Sequence, residues 1–214
     1  MHRDPKTYNV RAVERALQIL SCFDGERAEL GISDVAQATG LHKATSHRHL
    51  LTLANHGFLE RTADGERFRL GLRLVELGMS ALRGLDVRRA ALPHMQQLTE
   101  RFQESCTLST FDRGRILFVE VVHSEHSLTI AARVGRQLPV HCTASGKLLL
   151  AFLPRGVAEP LVNKALAAHT ERTITSAEQL REELGTIRQR GYAVADEEFE
   201  VGIWAISAPH PRHR

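Results

Sequence analysis

The sequence lacks the features that mark several special classes of protein. No apolar run approaches the roughly 20 residues that span a bilayer, and residues 1–5 carry no signal-peptide core. Only three cysteines occur among 214 residues, without a Cys-x-x-Cys pair, which indicates reduced and mostly buried thiols. A formal net charge of only +3 excludes a nonspecific nucleic-acid coat. We therefore expect a cytoplasmic protein with one or two domains, each with a hydrophobic core.

The segment 30–70 contains the clearest pattern in the chain. Before it, apolar residues spaced at i, i+3, i+4 and i+7 predict a helix over 10–23. A second helix is predicted to begin with Ser33 as its N-cap and to end at Gly40, which can adopt the left-handed conformation of a corner. A third helix follows at once from residue 42. Three helices with this corner indicate a helix-turn-helix.

The third predicted helix has two different faces. At 100° per residue, Leu50, Leu53 and Ala54 share the face that must contact the other helices. The opposite face and the N-terminus carry short and basic side chains that can reach base edges and phosphates in a major groove. For this helix alone, an ordinary amphipathic helix with a solvated polar face is about as well supported. The candidate DNA-contacting residues are Lys43, Ala44, Thr45, Arg48, His49 and Thr52.

A hairpin predicted directly after this helix favours DNA binding. Asp64 and Gly65 form a strong tight-turn signal between two short strands. Strand alternation predicts that Phe68 and Leu70 point inward and that the arginines point outward, as in a wing along DNA. Between residues 41 and 73, six Lys or Arg residues stand against three acidic ones, so the basic excess is local. The predicted strands are 58–61 and 67–70, and the candidate wing contacts are Arg61, Arg67 and Arg69.

The second half of the chain predicts a different kind of domain. Apolar residues over 72–85 predict a connecting helix, and Pro93 predicts a bend or break in the helical region 86–103. In this half, strands come first and a mixture of helices and strands follows, an order that indicates an α+β domain with one sheet. The predicted strands are 106–111, 116–122, 128–134, 192–195 and 203–207, and the predicted helices are 144–153, 161–168 and 176–190.

The segment 135–147 is the motif of this half that suggests chemistry. It is not a phosphate-binding P-loop, because His141 replaces the first glycine and Leu148 the Ser or Thr. Ser145 and Lys147, two residues apart on a helix, do not face each other as a catalytic pair. A small first helical turn with unpaired N–H groups can hold a carboxylate. Close packing of a glycine-containing helix start against the sheet explains the spacing equally well.

In their order along the chain, these segments resemble the IclR family of bacterial transcriptional regulators. The resemblance implies an α+β protein with a winged helix-turn-helix domain over 8–71, a linker helix over 72–85 and a GAF-like effector-sensing domain over 86–214. The matching segments include VERALQIL at 13–20, AQATGLHKAT at 36–45, GFLER at 57–61, TASGK at 143–147, RQRGYA at 188–193 and DEEF at 196–199.

The resemblance also implies a function. Members of the family are typically dimers or tetramers that bind double-stranded operator DNA, often as repressors of catabolic operons, and respond to a small carboxylic or aromatic acid. The effector pocket of the family lies between the sheet and the segment 143–147, where the helix N-terminus can hold an anion. The implied effector-binding residues are Ala144, Ser145, Gly146, Asp196, Ala205 and Ser207.

The chain departs from the family pattern at several positions. Ser46 and His49 replace residues that are usually apolar, which predicts looser packing of the recognition helix. Family members usually continue with a further strand and a long helix, so we expect the effector-binding domain to be incomplete at its C-terminal end. This leaves an alternative open, a truncated regulator that binds DNA or a partner subunit but senses ligand poorly.

No catalytic residue, metal site, cofactor or membrane partner is expected. No base, nucleophile and orienting group form a recognisable set. His42, His47 and His49 are not spaced as metal ligands, and His141 beside Cys142 forms no chelate by itself. The acidic run 196–200 is interpreted as a solvated turn.

Overall fold

The chain folds into two units that divide between Gly84 and Leu85. The computed structural model describes residues 9–23, 27–125 and 132–210. The first unit contains α1 (Arg11–Leu20), β1 (Glu29–Gly31), α2 (Ile32–Thr39), α3 (Lys43–Asn55), β2 (Leu59–Arg61), β3 (Arg67–Leu70) and α4 (Leu72–Arg83). The second contains α5 (Asp86–Phe102), β4 (Cys106–Asp112), β5 (Arg115–Val122), β6 (Gln137–Pro139), α6 (Ala144–Phe152), α7 (Arg155–Val162), α8 (Ala177–Arg190), β7 (Ala193–Asp196) and β8 (Trp204–Ser207).

The first unit is a winged helix-turn-helix, as predicted. Gly40 ends α2 with a φ of 69°, a left-handed conformation that turns the chain into α3. The sheet is antiparallel with the strand order β1-β3-β2, so β3 lies at its centre. Ile19, Leu50 and Phe68 are fully buried and join the helices to the sheet in one core. Strand β1 was not predicted, because three residues are too few for an alternating pattern to show.

Two local predictions for this unit were wrong. The N-cap of α2 is Gly31 and not Ser33, and the N–H of Gly31 donates to Asp34 Oδ2 over 2.8 Å. Leu70 is 45% exposed instead of inward, because it ends β3 where the chain turns into α4. Helix α1 forms within the predicted range; Ile19 is fully buried, Ala16 and Leu20 pack partly buried against the same core, and Val13 and Leu17 are exposed.

The second unit combines helices with two antiparallel sheets instead of the single sheet predicted. One sheet has the order β4-β5-β6, and the other is the hairpin β7-β8. The predicted break at Pro93 is absent, since α5 runs through it with Ala91 and Met95 buried on either side. The helix predicted over 161–168 was wrong, because α7 begins after Pro154 and ends at Val162. The strand predicted over 128–134 lies mostly outside the described residues.

Helix α6 positions the candidate site of the second unit. It contacts α8 and both strands of the β7-β8 hairpin. Leu150 on α6 and Leu180 and Ile187 on α8 are fully buried in the core between them. Helix α6 is thus packed between α8 and the hairpin. No helix of the described residues combines the length and apolarity needed to cross a membrane.

Candidate nucleic-acid interface and effector site

Helix α3 presents most of the predicted DNA-contacting side chains to solvent. Lys43, Ala44, Arg48 and Thr52 are exposed, whereas Thr45 and His49 are half-buried. The hydroxyl of Thr52 donates to the carbonyl oxygen of Arg48 over 2.8 Å, so its proton is already used within the helix. Arg48 therefore offers the longest exposed hydrogen-bonding side chain on this face.

One polar residue of α3 faces the core. Ser46 is fully buried, and its Oγ has no hydrogen-bond partner among the described residues. A buried hydroxyl without a partner loses its hydration and gains nothing in return. Burial of the Ser46 hydroxyl therefore costs free energy of folding, while the looser packing expected for this helix stays a prediction.

The wing is a hydrogen-bonded hairpin with arginines on its surface. At its turn, Asp64 Oδ1 accepts hydrogen bonds from the Thr62 hydroxyl over 2.5 Å and from the Glu66 N–H over 3.0 Å. The bond from Thr62 is the main reason that the pKa of Asp64 lies below its ordinary value, with the Glu66 N–H second. Gly65 adopts a φ of 74°, which the tight turn requires.

The three wing arginines differ in how they are held. Arg69 donates from Nε and Nη2 to Glu60 Oε2 over 3.2 and 3.1 Å, so a carboxylate partly neutralises it. Arg67 donates to the neutral carbonyl oxygen of Glu29 over 3.3 Å, and its charge also acts on Asp64 at the turn. The guanidinium of Arg61 lies 5.5 Å from the centre of the Phe68 ring. All three side chains are exposed.

The first turn of α6 is tightly built around Thr143. Its Oγ1 accepts from the Gly146 N–H over 3.2 Å and donates to the carbonyl oxygen of Pro139 over 2.7 Å. A Cβ on Gly146 would lie 2.4 Å from the carbonyl oxygen of Val140, so close packing explains this glycine. The N–H groups of Ala144 and Ser145, in the first turn, have no intrahelical acceptor. Ala144 is buried and Ser145 is half-buried.

The remaining predicted effector residues lie on the hairpin that α6 contacts. Ala205 pairs with Ala195, and Ser207 pairs with Ala193. Ala205 and Ser207 are half-buried. Asp196, at the other end of the hairpin, is exposed and accepts a 2.6 Å hydrogen bond from Arg172. The fold thus brings α6 and the hairpin together, while Asp196 already has a partner.

A buried ion pair beside this site was not predicted. Lys147 is only 1% exposed, and its Nζ donates to Glu198 Oε1 over 2.5 Å and lies 3.5 Å from Glu183 Oε1. The interpretation of the acidic run as a solvated turn was therefore wrong for Glu198, which is buried. The sequence signal that could have found the pair is a lysine inside the otherwise apolar helix α6.

Three side chains of the second unit could hold a metal ion. One ligand atom each from His141, Cys142 and His169 lies within 4.8 Å of the other two. Burial lowers the pKa of His141, and burial together with the nearby Glu198 charge raises the pKa of Cys142 to about 12. Sequence reasoning considered His141 and Cys142 but had no local signal for His169, which lies on a distant loop.

Comparisons with known proteins match the whole described architecture. A family model described as "IclR helix-turn-helix domain" matches residues 12–63, and one described as "Bacterial transcriptional regulator IclR C-terminal" matches residues 79–213. The transcriptional regulator XynR of Escherichia coli is 34% identical over 205 residues, which cover 95% of this chain and 81% of that protein. The glycerol operon regulatory protein of Streptomyces coelicolor is 34% identical over 207 residues, with 96% and 81% covered.

A solved structure is similar in both units. The crystal structure of an IclR homolog from Microbacterium hydrocarbonoxydans, complexed with 4-hydroxybenzoate, matches with a TM-score of 0.83 at 33% sequence identity. The match covers 94% of this chain and 84% of that chain.

Proposed function

Because the chain belongs to the IclR family of bacterial transcriptional regulators, we propose that it represses a catabolic operon and that a small carboxylic or aromatic acid releases it from operator DNA. The observation that carries the proposal is the exposed basic surface of α3 and the wing on one unit. The alternative of a regulator that senses ligand poorly is not favoured, since the matches to relatives run through both units.

In this proposal α3 reads the bases and the wing holds the phosphates. Arg48 is exposed and long enough for a bidentate contact to guanine, the commonest specific contact in a major groove. Lys43 and Thr45 at the start of α3 contact phosphates or base edges. Arg61, Arg67 and Arg69 add charge along the backbone, which strengthens binding to any sequence.

We propose that two copies of the chain bind one operator. Val10, Val13 and Leu17 on and next to α1 are each more than half exposed, and they line a groove of about 710 Å³. Contiguous apolar surface of this kind marks a protein contact, and helix-turn-helix proteins bind paired half-sites as dimers. A second copy of this chain is therefore the proposed occupant of the α1 face.

The effector is proposed to bind at the start of α6. The unpaired N–H groups of Ala144 and Ser145 lie at the positive end of the helix dipole, which favours an anion. Ala205 and Ser207 on the facing hairpin complete the site. The ligand named for the similar crystal structure, 4-hydroxybenzoate, is a small aromatic acid of the proposed class.

A negative charge introduced at Ser145 tests the effector site. Ser145→Asp places a carboxylate where the effector anion would lie, and an acidic residue in a first helical turn does not harm the helix. We expect this variant to bind operator normally but to need a much higher acid concentration for release. Ser145→Asn, which matches Asp in size without its charge, should respond like the parent chain. If the same acid concentration released both variants from operator DNA, the result would contradict the proposed site.

Gly146 is not suitable for this test. The sequence alone suggests that Gly146→Val would block ligand entry, but its side chain would collide with the backbone of Val140 instead. That variant is expected to damage the packing of α6, so a lost response would say nothing about the ligand.

A further inference from the structure

Two segments of the second unit bring three nitrogen and sulfur ligands together. His141 and Cys142 immediately precede the N-cap of α6, and His169 lies on the loop between α7 and α8. Their ligand atoms all lie within 4.8 Å of one another. We propose that these three side chains bind a divalent metal ion of the zinc class.

The donor set selects the class of metal. Two imidazole nitrogens and one thiolate sulfur are ligands that Zn²⁺ and its neighbours in the first transition row prefer, whereas Mg²⁺ and Ca²⁺ require oxygen. Cys142 becomes the thiolate as the metal binds, and its proton is released to solvent. Three protein ligands also leave the fourth position of a tetrahedral ion open. The site can therefore take water or another small ligand as its fourth donor.

One ring nitrogen of His141 is available to a metal ion. Its Nε2 lies 2.9 Å from the carbonyl oxygen of Ala167. A carbonyl oxygen can only accept, so Nε2 carries the proton and Nδ1 keeps the lone pair that a cation needs. A hydrogen bond from the second ring nitrogen to a backbone carbonyl is the usual support of a metal-bound histidine.

Hydrogen bonds hold the loop that carries His169. The buried Thr173 Oγ1 accepts from the N–H groups of His169 and Thr170, both over 2.9 Å, and donates to the carbonyl oxygen of Glu198 over 2.6 Å. This arrangement leaves the rings of His141 and His169 with their centres 5.9 Å apart. Bonds of about 2.0–2.3 Å to a tetrahedral ion require ligand atoms roughly 3.5 Å apart, so the ligands must close by about 1 Å. The exposed His169 side chain can supply that movement.

A buried ion pair lies near these ligands. Glu198 is 9% exposed; its Oε1 accepts from Lys147 Nζ, and its Oε2 has no hydrogen-bond partner among the described residues. Because the two charges of this pair oppose each other, the pair adds little net charge beside the proposed metal ion. The three ligands themselves must therefore supply the affinity.

Cobalt binding to the full chain tests the site, because Co²⁺ replaces zinc and reports its ligands by absorption. We expect one equivalent, with the thiolate-to-cobalt band of a sulfur ligand, and displacement by Zn²⁺. Cys142→Ser should remove that band, and His169→Gln should weaken binding by more than the roughly 10–100-fold that outer-shell changes cause. Cys106→Ser and His94→Gln, a half-buried thiol and an exposed histidine elsewhere, should bind like the parent chain.

Several results would overturn the proposal. These are the absence of stoichiometric binding, a cobalt spectrum without the thiolate band, or an affinity that His169→Gln leaves unchanged. Because Cys142 is buried and its variant can fail to fold, the exposed His169 decides in that case. The measurement uses neither DNA nor effector, so its failure leaves the proposed regulatory function intact.

Discussion

Ser46 is the residue of α3 whose chemistry opposes its position. Its hydroxyl is fully buried without a partner among the described residues. Ser46→Ala removes that hydroxyl and also improves helix propensity, so we expect a gain of about 1–2 kcal/mol in the free energy of unfolding. Chemical denaturation measures it. Ser80→Ala, at an exposed position of α4, controls for propensity alone and should gain only a few tenths of a kcal/mol.

A loss of stability in Ser46→Ala would show that the hydroxyl has a partner in the folded protein. The variant should also keep its operator affinity, because the side chain faces the core and not the solvent.

The ion pair of Lys147 and Glu198 makes a second prediction at this scale. Lys147→Met leaves a buried carboxylate without its cation, which costs about 3–5 kcal/mol. The double variant Lys147→Met with Glu198→Met removes both charges and should recover most of that loss. Lys164→Met, at an exposed lysine, should change stability by less than about 0.5 kcal/mol.

Unfolding of the four proteins in urea gives the comparison. If Lys147→Met lowered the free energy of unfolding as little as Lys164→Met does, the ion pair of Lys147 and Glu198 would be exposed to water in solution. If the double variant were no better than Lys147→Met alone, the cost would arise from packing instead of charge.

At the scale of elements, the wing arginines should act unequally. Arg67 is held by a neutral carbonyl oxygen, whereas Arg69 is held by the carboxylate of Glu60. We expect Arg67→Ala to weaken operator and random DNA alike and to reduce the slope of affinity against salt by about 1. Arg69→Ala should have a smaller effect, and Glu60→Gln should strengthen binding to both DNAs. Titrations at several salt concentrations measure these slopes.

One result would contradict the assignment of the hairpin as a phosphate-binding wing. If Arg67→Ala changed the preference between base pairs and left the salt slope alone, Arg67 would read bases and would not act on phosphate.

The elements show how far sequence patterns reach. Helices α3, α6 and α8 and the wing hairpin were predicted because each has a local signal, such as Gly40 after α2 or Asp64-Gly65 in the turn. Strand β1 and the separation of β7-β8 from the larger sheet depend on pairing between distant segments, which no local pattern encodes. Pro93 was expected to bend or break the helical region, but α5 runs through it without a break, with Ala91 and Met95 buried on either side.

The candidate sites show the same limit. The exposed face of α3 follows from helical periodicity, so Arg48 could be placed from the sequence. Contacts between residues that are distant in the sequence could not be predicted. They include the pairing of Lys147 with Glu198 and the approach of His169 to Cys142. Each of these joins residues from separate elements, and only the tertiary fold brings them together.

For the molecule as a whole, the central claim is that it binds one DNA sequence in preference to others. The most direct measurement compares the affinity of the full chain for DNA from upstream of its own gene with that for a scrambled duplex at one salt concentration. We predict at least about 1,000-fold tighter binding to the operator. Arg48→Ala should reduce that preference by about 1–3 kcal/mol, while Arg155→Ala, an exposed arginine of the second unit, should not. Equal affinity for both duplexes, or a preference unchanged by Arg48→Ala, would contradict the account.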